Sequence, residues 1–415
     1  MSWLGKCADR LGIQKRTRNR IIRGVWMLRH PASLALLIAE TLHVLIRPLI
    51  RPLAAWIGFN IYRHKPRELR SVLQVSLSSH KQYMLSRLLR RHGIRSSFLA
   101  VNTTKNDRLT IGYDYSVPMN TNALFREIIS AWLLWTVMAR YDIIHYHFNA
   151  FLFQDGYDLD VLRRLGKGIV IHYRGCDLRS REVNLSLRGT LNACAECDYP
   201  EGSCDNPGQR QLIDLGRRYG DHFYVTTPDL LDFMPTAEHL PFVHPVEVDF
   251  DAIAPLPRNE GLFRIVTSSN HAGVDGVSHI RAAVNRLQRE GYAVELIEVI
   301  KQTYREAIAA YKSADLYVGK LLMGYYNNAN IETMMLGVPN ISYIRPEYIE
   351  HMPECPIIIA DPANVYPVLK EWLDKPDELK AVGLRGPDYV HRYHNPDLLT
   401  ERVIEKYKSI LAAKQ

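Results

Sequence analysis

ADLYVGKLLMGYYNNANIETMMLGVPNISYIRPE, residues Ala314 to Glu347, is the stretch that decides the fold. A short apolar run ends in a loop crowded with Gly, Tyr and Asn. A helical pattern headed by Glu332 follows, and Gly337-Val338-Pro339 stops it before a new strand-like run. The order is strand, polar loop, helix, turn, strand. In open α/β sheets ligands sit outside the carboxyl ends of the strands, and a helix N-terminus there offers N–H groups to an anion. Gly324, Tyr325, Tyr326, Asn327 and Asn328 form the loop. Glu332 stands where a carboxylate accepts hydrogen bonds from sugar hydroxyls. The stretch reads as one wall of an active site.

The same alternation extends in both directions. Upstream, FRIVTSS (263–269), a Gly-containing loop, SHIRAAVNRLQREGY and AVELIEVI repeat the pattern. Earlier still, SVLQVSL (71–77), DIIHYHF (142–148) and IVIHYRGCD (169–177) are strand-like runs separated by helical patterns. Strands alternating with helices predict parallel sheets. The proline-rich VHPVEVDFDAIAPLPRNEG between them has little periodicity. The expected architecture is two doubly wound Rossmann-like α/β domains facing a cleft, residues 67–250 and 263–396, joined by a linker at 251–262. The last helical pattern, 397–415, follows a break at His391–Pro396 and reaches back toward the first domain.

Charge is unevenly spread. The chain of 415 residues has a formal net charge of +8, and residues 1–70 hold 14 Lys/Arg against 3 Asp/Glu, so the basic character belongs to the N-terminus. There it is mixed with Trp26, the run ASLALLIAETLHVLI, Leu53, Trp56 and Ile57. Nucleic-acid arms are basic and polar, whereas this mixture suits an anionic bilayer surface. Residues 1–66 therefore read as a basic amphipathic arm, peripheral or re-entrant at the cytoplasmic face of a membrane. Two other readings are a spanning helix over Pro31–Ile50, which Glu40 disfavours, and a helix packed on a protein partner or on the body of the protein. A long basic leader without a small-residue cleavage pattern argues against a signal peptide.

Six cysteines without a secretory signal point to a reducing compartment. Cys194-x-x-Cys197, then Cys204, with Cys176 upstream, has the shape of a four-thiolate structural zinc site in an insertion over 176–204. An iron–sulfur or redox role, free thiols, or one disulfide are the other readings. Cys7 and Cys355 stand alone.

Other candidates lie at strand ends. Asn270 and His271, with Gly273 and Gly276, follow a strand in a loop able to approach a phosphate; a capping Asn and a surface His are the plainer reading. Arg174 and Asp177 flank Gly175-Cys176, suited to steadying an anion and moving a proton, or to a structural pair. His145 and His147 share one strand face, where such residues are more often satisfied core groups.

Two α/β domains, a proline-rich linker and a terminal helix together resemble the GT-B glycosyltransferases, which transfer sugars from nucleotide donors. Glu332 with Gly337-Val338-Pro339 is similar to the donor region of the retaining group related to glycogen and glycolipid synthesis, the family 4 and family 1 type. IHYRGCDLR resembles that group's His-rich or Arg-Gly loop. The resemblance implies a ribose contact at Glu332, a retaining outcome and no catalytic metal. Departures are equally specific. The position of a second Glu is Gly324, and SSNHAGVDGVSHI replaces the usual Arg and Lys after the first strand of the second domain, with Asp275 where the Lys belongs. Lys320 and Arg345 are the replacement cations to consider.

The resulting expectation is a membrane-associated hexosyltransferase-like enzyme. Its donor is a nucleotide sugar as co-substrate, and its acceptor a lipid-linked saccharide or a surface polysaccharide; no nucleic acid is involved. Arg174, Asp177 and His271 carry the chemistry. The alternatives are a non-catalytic scaffold of the same fold in a membrane transferase complex, and a nucleotide-sugar epimerase.

Overall fold

The computed structural model describes Pro48 and residues 51–62, 68–77, 80–103, 112–119, 122–188, 191–243 and 249–415. Most of the N-terminal arm read over 1–66, including its long apolar run, lies outside the described residues.

Two parallel sheets organise the chain. The first contains β1 (Ser71–Leu77), β2 (Arg95–Thr103), β3 (Tyr115–Pro118), β4 (Ile143–His147), β5 (Gly168–Tyr173), β6 (His222–Val225) and β7 (Glu238–His239). Its order is β3-β2-β1-β4-β5-β6-β7. The second contains β8 (Phe263–Ser268), β9 (Val294–Val299), β10 (Leu316–Val318), β11 (Asn340–Ser342) and β12 (Ile357–Ile359), ordered β12-β11-β10-β8-β9. Both are doubly wound, so each reverses strand order once: between β1 and β4, and between β8 and β10. Those two switch points are where a crevice opens outside the strand ends.

The strands read as continuous apolar runs because helices cover both faces. Leu73, Val75, Leu99, Ile144, Tyr146, Ile169 and Ile171 are fully buried on one face of the first sheet. The other face, with Val72, Ile143 and Val170, is covered by the chain's last helix, Pro396–Ala412, through Leu399, Val403, Tyr407 and Leu411. Asn395 caps that helix, its side chain accepting from the Asp397 and Leu398 N–H groups. A residue pattern 330 positions away thus completes the first core.

The segment read as a linker is folded against the second domain. Phe250, Ile253 and Leu256 pack with Val266, Ile308 and Tyr317. The Leu256 N–H donates to the Ala309 carbonyl and Lys312 Nζ to the Phe250 carbonyl. Only 244–248, outside the described residues, separates this packing from the first domain.

At the N-terminal side, a helix over 51–61 lies along helix Ala123–Thr136. Arg51 pairs with Glu127 at 2.5 Å, Gly58 admits the Trp135 ring, and Phe59 meets that ring edge-on at 5.6 Å. No helix among the described residues is long and apolar enough to cross a membrane.

Candidate functional site between the sheets

The loop after β8 sits at the second switch point. Asn270 is exposed, His271 partly so, and Asp275 is buried at the end of the short helix Ala272–Asp275. Asp275 accepts from Ser269 Oγ at 2.7 Å and lies 2.7 Å from Lys320 Nζ, which emerges after β10. Gly276 takes φ +76°, the left-handed turn that lets helix Val277–Arg289 start at once. Lys320, read as a replacement cation, is therefore engaged by the aspartate that stands where the family resemblance places a lysine.

Beyond β10 the polar loop divides. Gly324 has φ +83°, and a Cβ there would strike the Arg345 side chain. Arg345 is only 3% exposed; its Nη1 donates to the Tyr348 hydroxyl at 3.0 Å and lies 3.5 Å from Asp232 of the first domain. Tyr325 and Tyr326, read as loop walls, are buried. Their rings stack at 4.4 Å, Tyr326 shares hydrogen bonds of 2.9 Å with Tyr389 and His394, and Tyr325 donates to the His351 carbonyl. Burial raises both phenol pKa values, Tyr326 well above the ordinary one. Nothing in that arrangement presents them to a ligand.

Asn327 caps helix Asn328–Met335: its Oδ1 accepts from the Asn330 N–H while Asn330 Oδ1 accepts from the Asn327 N–H. Asn330 in turn donates to Asn340 and Ser342 at 2.9 Å, tying the helix start to β11. Glu332 is thus the fifth residue of the helix and not its head. It is 6% exposed and accepts from the Tyr304 hydroxyl at 3.2 Å. Tyr304 opens helix Tyr304–Lys312, behind a Thr303–Glu306 capping box. Nothing in the sequence signalled that Tyr304 would reach Glu332.

Across the seam, Asp177 receives the Arg174 and Gly175 N–H groups at 3.0 and 2.7 Å. Burial nevertheless raises its pKa. The Arg174 guanidinium, brought to about 10 by burial, donates from Nε to His147 Nδ1 at 3.4 Å. Arg174 and Asp177 are together, at the carboxyl end of β5. His271, grouped with them from sequence, is on the other domain.

His145, His147 and His172 are buried on the sheet face beneath the terminal helix, with one nitrogen each within 4.8 Å of the others. Their separation would allow a shared ion. The rings of His147 and His172, however, lie 22° and 16° from His145 and 38° from each other, and Arg174 borders His147. Stacked imidazoles aim their lone pairs alongside one another, and a guanidinium repels a cation. The remaining contacts are those of a polar core: His145 with the Tyr407 hydroxyl at 2.6 Å, His147 with Gln74 at 2.8 Å, His172 with Thr226 at 3.1 Å. Burial holds all three imidazoles neutral, well below their ordinary pKa.

The four cysteines read as zinc ligands are free thiols, and among the described residues no three of their sulfurs come within 4.8 Å of one another. Arg179 Nη1 donates to Cys176 Sγ and Asn184 Nδ2 to Cys194 Sγ, which orients those sulfurs separately. A preformed four-thiolate centre is absent from the described residues. The insertion instead spans the seam. Glu196 meets His279 at 2.6 Å, the Tyr199 ring stacks on His271 at 3.9 Å, and the Glu196 carbonyl fills the space a Cβ on Gly273 would need. Gly273 therefore admits a neighbouring chain segment, a packing role the sequence did not reveal.

Further bridges close the seam: Tyr348 donates to Asp232 at 3.3 Å, and Arg179, paired with Asp229 in the first domain, reaches Met323 Sδ at 3.4 Å.

No family model matches the chain, and no curated protein matches it. Solved structures do. The chain is similar to a sucrose-phosphate synthase from Thermosynechococcus elongatus, at TM-score 0.56 and 14% identity over 83% of this chain and 100% of that one. It is also similar to HepE of Anabaena in complex with UDP-glucose, at 0.54 and 9% over 82% and 99%. The catalytic domain of starch synthase IV from Arabidopsis thaliana, bound to ADP and acarbose, gives 0.52 and 9% over 83% and 99%. At these identities the likeness is one of architecture, and the architecture is GT-B: two Rossmann-like domains facing a cleft.

Proposed function

We propose that the chain is a glycosyltransferase that takes a sugar from a nucleotide-sugar donor held by the second domain. It passes that sugar to a lipid-linked saccharide or surface polysaccharide held by the first domain at a membrane. One observation carries the reading: the strand-end loops of the two sheets meet across the cleft, with Asn270–Gly276, Lys320 and Glu332 on the second domain, Arg174 and Asp177 after β5 on the first, and the insertion that follows them stacking Tyr199 on His271. Glu332, a buried carboxylate reached by Tyr304, suits a ribose. The loops after β8 and β10 suit the diphosphate, with backbone N–H groups stabilising the departing charge. Arg174 steadies the acceptor side, Asp177 takes part in proton transfer, and the sugar leaves with retained configuration. The similar structures that hold UDP-glucose and ADP support a nucleotide in this cleft.

Calorimetry with UDP-, GDP-, ADP- and CMP-sugars tests the donor half. At least one binds, and Glu332→Ala weakens it tenfold or more. Absence of binding across the set removes the enzyme reading. A second reading, a non-catalytic membrane scaffold, is favoured by the Lys320–Asp275 pair, which engages the cation nearest the proposed diphosphate site.

A further inference from the structure

The first domain has its own crevice at the β1/β4 switch point, a cavity of about 540 Å³ whose wall includes Asn102, Arg126, Ser130, Asn149, Phe151 and Phe153. It adjoins the proposed reaction site, since Asn149 Nδ2 donates to the Asp177 carbonyl at 2.9 Å and the Arg174 guanidinium lies 5.9 Å from the Phe148 ring. Two buried polar atoms of the wall, Ser130 Oγ and Asn149 Oδ1, have no hydrogen-bond partner among the described residues. A buried polar atom left unpaired costs free energy that a ligand can recover.

The charges in this cavity are unequal in availability. Both carboxylates, Glu127 and Asp155, are engaged by Arg51 at 2.5 and 2.7 Å, and Arg51 is itself stacked over Phe153 and Tyr157. Arg126 has no ion pair among the described residues, and burial lowers its pKa, a cost that an anion beside it would offset. Planar guanidinium groups match phosphate oxygens in pairs.

Next to the cavity, the 51–61 helix and helix Ala123–Thr136 present apolar side chains to solvent. Trp56 is 69% and Trp132 58% exposed, and Leu53, Ile61, Phe125 and Ile128 join them. Exposed apolar area on this scale marks an interaction face. The sequence on either side of the 51–61 helix is basic, with Arg47 before it and Arg63, Lys65 and Arg67 after it. Trp with Leu and Ile beside Arg and Lys is the chemistry of an anionic bilayer surface.

We infer that the two-helix face rests on an anionic bilayer, and that the adjoining cavity receives the diphosphate head and first apolar units of a lipid diphosphate acceptor. Arg126 grips the diphosphate and Phe151 and Phe153 line the apolar part. This rests on the transferase reading and specifies its acceptor. It also orients the molecule, placing the Arg174–Asp177 loop on the path from the membrane to the donor.

The test is sedimentation of the full chain with phosphatidylcholine vesicles carrying either a polyprenyl diphosphate or phosphatidylglycerol at equal surface charge. The wild type is expected to bind the diphosphate vesicles at least tenfold more tightly. Arg126→Glu and Arg126→Gln, with thermal midpoints measured alongside, are expected to abolish that preference while changing phosphatidylglycerol binding less than threefold. Trp56→Ser with Trp132→Ser should weaken binding to both vesicle types equally. Equal binding by the wild type, or a preference that survives both Arg126 variants, overturns the inference. So does free inorganic pyrophosphate binding as tightly as the lipid form, which would mark a soluble ligand. Nucleotide-sugar calorimetry separates the two claims: intact donor binding without lipid preference removes only this cavity, while lipid preference without donor binding removes the transferase and the acceptor role but leaves the cavity a lipid-diphosphate site.

Discussion

Lys320 Nζ lies 2.7 Å from Asp275, and the pair sits at the β8/β10 switch point of the second sheet, beside the proposed donor diphosphate site. A lysine in that place neutralises phosphate unless a carboxylate is closer. The aspartate is closer, and a second contact from Ser269 Oγ fixes it. Asp275→Asn should therefore act in two directions. Removing one partner of a largely buried pair costs stability, here about 2 kcal/mol after allowing for the fifth of the Lys320 side chain that is exposed. The released ammonium should tighten UDP binding roughly tenfold, about 1.4 kcal/mol. Denaturant unfolding reads the first effect and calorimetry the second; weaker UDP binding by a folded variant would remove Lys320 from the donor site.

Tyr304 supplies the hydroxyl that Glu332 accepts at 3.2 Å. Tyr304→Phe deletes that donor and leaves the ring. If the hydrogen bond holds the carboxylate in its ribose-facing position, nucleotide affinity falls about threefold to tenfold, the net worth of one hydrogen bond to a charged group being on the order of 1 kcal/mol. An affinity unchanged by Tyr304→Phe but lost in Glu332→Ala would mean that Glu332 needs no help in orientation.

Gly273→Ala tests the bridge made by the cysteine-rich insertion. A methyl group at this position meets the Glu196 carbonyl, so either the insertion lifts or the loop after β8 moves. Overpacking of this kind costs about 1–3 kcal/mol. The expected signature is faster labelling of Cys197 by a thiol reagent, since Glu196 and Asp198 would leave their places against His279 and His271. Unchanged labelling would show that the insertion does not depend on this contact.

The three stacked histidines predict an acid-labile fold. Their folded pKa values are depressed by burial, so their contribution is complete above the unfolded imidazole value near 6.5 and is lost as pH falls below it. Tyr407, Tyr224, Gln74, Thr226, His222, His239 and Arg174 surround them and supply no carboxylate to stabilise a proton. Between pH 6 and pH 5 the urea midpoint should drop, with each histidine contributing up to about 1.4 kcal/mol per pH unit. His172→Gln should make the dependence shallower by one proton's worth. A midpoint constant from pH 7.5 to 5 would refute the prediction.

Much of the architecture was legible because helix and strand periods alternate so regularly. Strand runs such as SVLQVSL and IVIHY are rich in Val, Leu and Ile and buried on both faces, as a doubly covered parallel sheet requires. The site was less legible for a physical reason: residue type does not say which polar group will be claimed by a neighbour. Tyr325 and Tyr326 sit in a polar-looking loop, yet Tyr326 bonds Tyr389 and His394, more than sixty residues downstream, while Tyr325 stacks on Tyr326 and donates to the His351 carbonyl. Lys320 and Arg345 looked free until Asp275, Tyr348 and Asp232 were placed beside them. The thiol spacing suggested a metal; the contacts the insertion makes across the seam, through Glu196 and Tyr199 between the cysteines, carried no such signal in the sequence. His145 and His147 were placed on one strand face by alternation alone; their third partner, His172, required the β4–β5 register.

The terminal helix, Pro396–Ala412, has a consequence for biosynthesis. The first domain emerges from the ribosome early, but the face containing Val72, Ile143 and Val170 waits for Val403, Tyr407 and Leu411. Translation from β7 to the end of that helix takes on the order of ten to thirty seconds at ordinary elongation speed. During that interval a nascent chain carries an uncovered apolar sheet with histidines in it, a surface suited to a holding chaperone. Emergence of helix Pro396–Ala412, not the completion of either sheet, is the event that closes the first domain.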